Sequence, residues 1–278
     1  MELSWLESSI YGLIYGLLDM IPVSAQAHSI LLLKFFGVKA SPDIMNLLIH
    51  MAIFFALYHS SQTQIIRMRR ACALARVPKR KRKRPLDVRS MMDWSMLKTM
   101  LIPTVFGVYL RQYTTGMYSK LMLVSLFLFL NGLILYVPQF FPTSNRDSRT
   151  LSRVEGLLMG LGGIVSAVPG ISAVGSATSL ASVCGVDRTY GLNMVLMMHM
   201  GVTVGLMVYD VMGIAANGAG TLSFLILVRY LFSAAAAFCG AMLGIKWMRH
   251  LAAGHGFSIF GVYCWGLALF AFILNLIA

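Results

Sequence analysis

Three polar side chains interrupt an apolar stretch near the N-terminus: Asp19, Ser24 and His28, within the run Tyr15-Gly16-Leu17-Leu18-Asp19-Met20-Ile21-Pro22-Val23-Ser24-Ala25-Gln26-Ala27-His28. A carboxylate, a hydroxyl and an imidazole are costly to leave in lipid, so they are expected to face a polar cavity. Asp19 can bind a cation or act as a general base, and His28 can serve as base, acid or transient nucleophile. Ser24 stands where a half-helix begins, and the free N–H groups of such an end suit a phosphate. A plainer alternative stays open, in which Ser24 caps a helix and His28 hydrogen-bonds a neighbouring turn.

A second candidate segment is Pro169-Gly170-Ile171-Ser172-Ala173-Val174-Gly175-Ser176-Ala177-Thr178. Small residues and hydroxyls allow close backbone approach and phosphate contact, and they equally suit tight packing between membrane helices.

The elements that position these residues follow from hydropathy. With 58% hydrophobic and 12% charged residues, and a mean hydropathy of +0.75, the 278-residue chain belongs in a bilayer rather than in water. Apolar stretches near 44–60, 100–110, 119–140, 190–215, 222–247 and 256–278 predict six spans. The segments 8–36 and 153–186 are apolar but broken, at Ile21-Pro22-Val23-Ser24 and at Val168-Pro169-Gly170-Ile171-Ser172. Each predicts two half-helices around a turn, a re-entrant hairpin, and such turns survive at membrane depth only where a cavity or protein satisfies them. The expected fold is an all-α polytopic membrane protein of six transmembrane helices and two re-entrant helical hairpins. Three spans follow each hairpin, so residues 1–140 and 141–278 form an inverted-topology repeat within one membrane domain.

The net charge of +13, from 23 Lys and Arg against 10 Asp and Glu, invites a nucleic-acid reading, but its distribution does not support one. Lys79-Arg80-Lys81-Arg82-Lys83-Arg84 lies in a segment, 67–97, that reads as a basic cytoplasmic loop fixing topology through the positive-inside rule. Arg146, Arg149, Arg153, Arg188, Lys246 and Arg249 fall on the same side, whereas Lys34, Lys39, Arg111 and Lys120 fall on the outer one. Cys72, Cys184, Cys239 and Cys264 show no CxxC spacing, so neither a disulfide framework nor a zinc site is expected. Glu2 and Glu7 replace a basic leader region, and the first apolar segment is expected to be retained.

Over almost its whole length the chain resembles the undecaprenyl pyrophosphate phosphatases of the bacitracin-resistance type. Their first hairpin reads roughly E-G-x-x-E-F-L-P-V-S-S-x-x-H, of which Gly16, Pro22, Val23, Ser24 and His28 are present. Their second reads P-G-x-S-R-S-G-A-T, matched by Pro169, Gly170, Ser172 and Gly175, and Gly185-Val186-Asp187-Arg188 looks like the G-x-x-R that follows. The departures are Tyr15 and Asp19 for the two glutamates, Ala25 for the second serine, and Ala173 and Val174 for the arginine and serine of the second hairpin. Asn46 and His50 stand where Glu and Gln are usual; Asn193, His199 and Asp210 are further intramembrane polar groups, candidates for a site or for bonds between helices. Loss of a bidentate arginine contact at a water-poor site removes on the order of a hundredfold in transition-state stabilisation. Arg188 is too far along its helix and Arg229 lies in another span, so neither replaces it.

The resemblance implies hydrolysis of undecaprenyl pyrophosphate to undecaprenyl phosphate, for carrier-lipid recycling in cell-wall biogenesis at the inner (plasma) membrane. It implies Asp19, Ser24 and His28 as the catalytic set and a divalent cation, Mg²⁺ or Ca²⁺, with Asp19 as its ligand. Tyr15, Gly170, Ser172, Gly175 and Ser176 are the implied substrate contacts. The partners expected are a polyprenyl pyrophosphate lipid and the membrane, with no nucleic acid; a homodimer stays open. Two alternatives compete: a catalytically impaired relative that binds or translocates a polyprenyl phosphate, and a scaffold for envelope enzymes that docks them on the basic loop.

Overall fold

The computed structural model describes residues 3–142, 145–218, 222–254 and 257–277. Regular structure among them is helical, apart from one isolated bridge between Arg146 and Val186. The helices are α1 (Trp5–Met20), α2 (Ala25–Phe35), α3 (Asp43–Ala75), α4 (Val88–Thr114), α5 (Leu121–Tyr136), α6 (Arg153–Ile164), α7 (Ala173–Val183), α8 (Arg188–Asn217), α9 (Phe224–Gly254) and α10 (Ser258–Ile277).

Five are long and apolar enough to cross a bilayer: α3, α5 with the turn that extends it to Phe140, α8, α9 and α10. The protein is therefore an all-α, multi-pass membrane protein. The remaining long helix, α4, has 27 residues and thus a length of about 40 Å, but it carries Lys98, Pro103 and Arg111. Lipid is the solvent for the outward faces, where Leu269, Phe270, Ile273 and Leu276 of α10 and Leu225, Leu231 and Phe232 of α9 stand exposed.

The basic segment is shorter as a loop than the sequence predicts. α3 continues to Ala75 and α4 starts at Val88, so Arg67, Arg69 and Arg70 extend from a helix, and only 76–87 connects the two. Apolar periodicity ends near residue 60, but the helix does not, because Arg and Lys keep good helix propensity once the chain leaves the apolar region.

Both hairpins appear as α1–α2 and α6–α7. Each first half begins in a capping box, Ser4 with Glu7 and Ser152 with Glu155, which satisfies two orphan N–H groups reciprocally. Each ends before a proline that forces the preceding residue out of helical geometry: Ile21 at φ −95°, ψ 149° and Val168 at φ −101°, ψ 124°. Helix pairing is reciprocal. α1 lies along α9 as α6 lies along α4, α3 packs on α8, and α5 packs on α10. Glycines bring the first pair close: a Cβ on Gly16 would overlap the carbonyl of Ala237, and one on Gly240 that of Leu13.

Candidate functional site

The two hairpin turns meet inside the bundle, and α5 ties them together. Asn131 donates through Nδ2 to the carbonyl of Pro22 at 3.0 Å and accepts through Oδ1 from the backbone N–H of Ser172 at 2.9 Å. One fully buried amide thus satisfies a backbone group at each break, as irregular chain at membrane depth requires. Gly175 leaves room for the contact, since a Cβ there would press on Pro22.

At this junction the first turns of α2 and α7 are held by serines. Ser172 Oγ accepts from the N–H of Gly175 at 3.1 Å, and Ser24 Oγ from that of Ala27 at 3.4 Å. Ser24 is the one described non-glycine residue with positive φ, at 64°. Such a conformation costs about 1–3 kcal/mol and is held by its surroundings, typically at functional sites.

A small chamber of about 20 Å³ is lined by Asp19, Ser24, Gln26, Ser166, Ser172 and His199, with Ala25 and Ala173 in its wall. Across it, His199 Nε2 lies 2.8 Å from Asp19 Oδ2. A carboxylate only accepts, so Nε2 carries the proton and donates it to Asp19, and in the neutral imidazole Nδ1 is the nitrogen with the lone pair. That Nδ1 is buried and has no hydrogen-bond partner. A carboxylate that orients an imidazole whose other nitrogen is free has the form of a general base and its positioning group.

A larger vestibule of about 810 Å³ adjoins the chamber, and Gln26 lines both. Lys34, Lys39 and Arg111 bring positive charge to its wall, and Asp43 and Asp210 negative. In it a second imidazole pairs with a carboxylate: His50 Nδ1 donates to Asp210 Oδ2 at 2.5 Å, and its Nε2 accepts from the Tyr15 hydroxyl at 3.1 Å. The position where the resemblance expects a glutamate therefore holds a phenol whose proton is committed to His50.

Of the residues singled out from sequence, Asp19, Ser24 and Ser172 face the chamber and Tyr15 the vestibule. His28 sits behind Ser24 with both nitrogens engaged: Nδ1 donates to the Ser24 carbonyl at 2.8 Å, and Nε2 accepts from the Tyr263 hydroxyl at 2.8 Å. Its ring also stacks on Tyr263, with centroids 5.7 Å apart. In this arrangement His28 fixes the strained Ser24 rather than facing the chamber. Gly170, at φ 106°, turns the chain against Val124 and Phe127, and Ser176 Oγ is buried without a partner. Sequence reasoning did not single out Asn131, Gln26, Tyr118 or Ser166. Asn131 had a signal, as an amide directly after the apolar run Leu126-Phe127-Leu128-Phe129-Leu130 within a predicted span, because polar groups inside the membrane are rare.

Residues 8–270 match the model of the family described as bacitracin resistance protein BacA. The chain belongs to the BacA family. Curated relatives carry the name undecaprenyl-diphosphatase: a Methanobrevibacter smithii protein is 26% identical, with 96% of each chain covered. A Shouchella clausii protein is 24% identical over 98% of this chain and 97% of its own, and one from Desulforapulum autotrophicum 23% over 97% and 98%. Against the BacA motifs, the two His–carboxylate pairs stand among the substituted positions, Asp19 in one and His50, with Tyr15, in the other.

The donors present do not form a protein cage for a divalent cation. No group of three or more His, Cys, Asp or Glu is gathered among the described residues, and Asp19 commits one oxygen to His199. Hard cations take six or more oxygen ligands, so Mg²⁺ or Ca²⁺ at this BacA site would come with a diphosphate that supplies most of them, Asp19 adding a single carboxylate.

Proposed function

We propose that the protein is an undecaprenyl-diphosphatase that works with a reduced site, converting undecaprenyl pyrophosphate to undecaprenyl phosphate. The observation that carries this reading is the Asp19–His199 pair, which lines a chamber between the starts of α2 and α7 and whose Nδ1 has no hydrogen-bond partner.

The terminal phosphate is placed between those two helix starts, where unpaired N–H groups and the positive ends of the dipoles favour an anion. The Ser24 and Ser172 hydroxyls cap these turns and can each donate to a phosphate oxygen while still accepting from the backbone. His199 Nδ1 takes a proton from the attacking water as its oxygen bonds to the terminal phosphorus. The bridging P–O bond breaks, and undecaprenyl phosphate leaves with the electron pair. Asp19 holds the imidazole in the required tautomer and stabilises the imidazolium as it forms. The chamber is too small for a diphosphate in its present shape, so the substrate enters from the vestibule and widens the passage at Gln26.

The reading extends to topology. Reciprocal pairing of α1 with α9 and α6 with α4 supports two inverted repeats, 1–140 and 141–278. The basic 76–87 connection supports a cytoplasmic placement in the plasma membrane, with the vestibule opening outward. Incubation of the purified protein with undecaprenyl pyrophosphate, followed by mass spectrometry of the lipid, tests the activity. Accumulation of the monophosphate is expected; recovery of only intact lipid, with binding retained, would turn the assignment toward lipid binding or translocation.

A further inference from the structure

Arg111, near the end of α4, has donors to spare. Its guanidinium carbon lies 5.1 Å from the centroid of the Tyr118 ring and 5.2 Å from that of Tyr209, so two aromatic faces hold it in place. Nη1 reaches the Ser166 carbonyl only at 3.4 Å, a long contact, and Nε is buried with no partner. A preorganised guanidinium with a buried, unused donor at the wall of a cavity is costly unless an anion arrives.

Its place matters as much as its charge. Gln26 Nε2 donates to the same Ser166 carbonyl at 3.1 Å, and Gln26 Oε1 accepts from the Tyr118 hydroxyl at 2.9 Å. Gln26 and Ser166 line the chamber that holds Asp19, Ser24 and His199, whereas Arg111, Tyr118 and Gln26 line the vestibule. Arg111 therefore stands at the junction between the two. Lys34 and Lys39 are exposed on the vestibule wall, where they can draw an anion inward. Of the two vestibule carboxylates, Asp210 is paired with His50, which leaves Asp43 as the one opposing charge.

We infer that Arg111 is the phosphate-gripping residue of this site, a guanidinium delivered from α4 that binds a diphosphate at the mouth of the chamber. It meets the need left by Ala173, which stands at the start of α7 with no side chain able to reach an anion. A planar fork can exchange the long Ser166 contact for two short, charge-assisted bonds to phosphate oxygens. Lys34 and Lys39 supply the long-range part and set the salt dependence. The inference rests on the phosphatase reading for its substrate, but not for the anion site itself.

Binding of inorganic pyrophosphate to the full chain in detergent, measured by calorimetry and by the rise in Tm, tests the site beside kcat and KM for undecaprenyl pyrophosphate. Arg111→Gln should weaken pyrophosphate by roughly tenfold or more and raise KM in parallel, with Arg111→Lys between it and the parent. Lys98→Gln, exposed on the same helix but outside the vestibule, should change neither. Should Arg111→Gln not fold, Lys34→Gln/Lys39→Gln removes the two exposed cations, and a pyrophosphate affinity unchanged by that variant would overturn the site. A folded Arg111→Gln with unaltered affinity and KM would overturn it as well, while leaving hydrolysis intact. Arg111-dependent pyrophosphate binding without phosphate release from the wild-type protein would uphold the site and dismiss the phosphatase. Tight binding of the lipid diphosphate with none of free pyrophosphate would show that Arg111 does not grip the phosphates.

Discussion

His199 on α8 and Asp19 on α1 meet at 2.8 Å across the chamber, and the imidazole nitrogen facing away from Asp19 is buried without a partner. If that nitrogen is the general base, its loss acts on the chemical step more than on binding. His199→Gln and Asp19→Asn are each expected to lower kcat by about 10²–10⁴-fold, with KM changed far less. A rise in KM at unchanged kcat would show instead that the pair binds substrate and does not move a proton.

The Tyr15–His50–Asp210 chain makes a different prediction, because each member is buried. His50→Ala leaves the Asp210 carboxylate without its partner and should cost about 3–5 kcal/mol of stability. Tyr15→Phe removes only a neutral donor to His50 and should cost about 1–3 kcal/mol. Denaturation of the variants in micelles measures both, and the order of the two is the informative result.

Asn131 joins the two hairpin turns, so Asn131→Leu should disturb both at once. The Pro22 carbonyl and the Ser172 N–H lose their partner together, at about 1–3 kcal/mol for each buried group. Asn131→Asp keeps the acceptor for Ser172 but, when ionised, sets a buried carboxylate against the Pro22 carbonyl, so at neutral pH it should be no more stable than Asn131→Leu.

At the opposite end of the second hairpin, Arg146 donates to Glu155 at 2.7 Å, and Glu155 also accepts from the Ser152 backbone. The Arg146 guanidinium, and then the cap, hold the Glu155 carboxyl below its ordinary value of 4.5. A depressed folded value means that the stabilisation is present above pH 4.5 and is lost as pH falls through the lower folded value. The drop in Tm on acidification through that range should be smaller in Glu155→Gln than in the parent. The pair is partly exposed, so the difference should also shrink at high salt.

Close approach of α1 and α9 carries a fifth expectation. Gly16→Val places a branched side chain against the Ala237 backbone, and neither helix can yield locally without parting from the other. Loss of folded, monodisperse protein is expected on size-exclusion chromatography, whereas Gly116→Ala, in open space, should be silent.

The frame of the molecule was legible in the sequence because its signals are local. Pro22 and Pro169 break helices by their own geometry, and runs such as 121–136 are apolar enough to be helices in lipid whatever surrounds them. The site was legible only in part. Asp19 and His199 are 180 positions apart and His50 and Asp210 are 160 apart, so their pairing depends on α8 packing on α3 and reaching α1 through a side chain, which no spacing reveals. For His28 the motif position is apparent, and a bond to the neighbouring turn is one of the two readings the sequence leaves open, but its contact with Tyr263, 235 positions away, is not visible there. Arg111 counted as one more outer-side charge until the fold set it beside Gln26 and Ser166.

In the proposed reaction, hydrolysis persists without an arginine on the second hairpin because Asp19 and His199 form the base. Inorganic phosphate release from undecaprenyl pyrophosphate by the wild-type protein, His199→Gln and Asp19→Asn, at matched folding and saturating lipid, tests it most directly. Clear release by the wild-type protein and near-complete loss in both variants are expected; release unaffected by either substitution, or absent from the wild-type protein, would contradict this role of the pair.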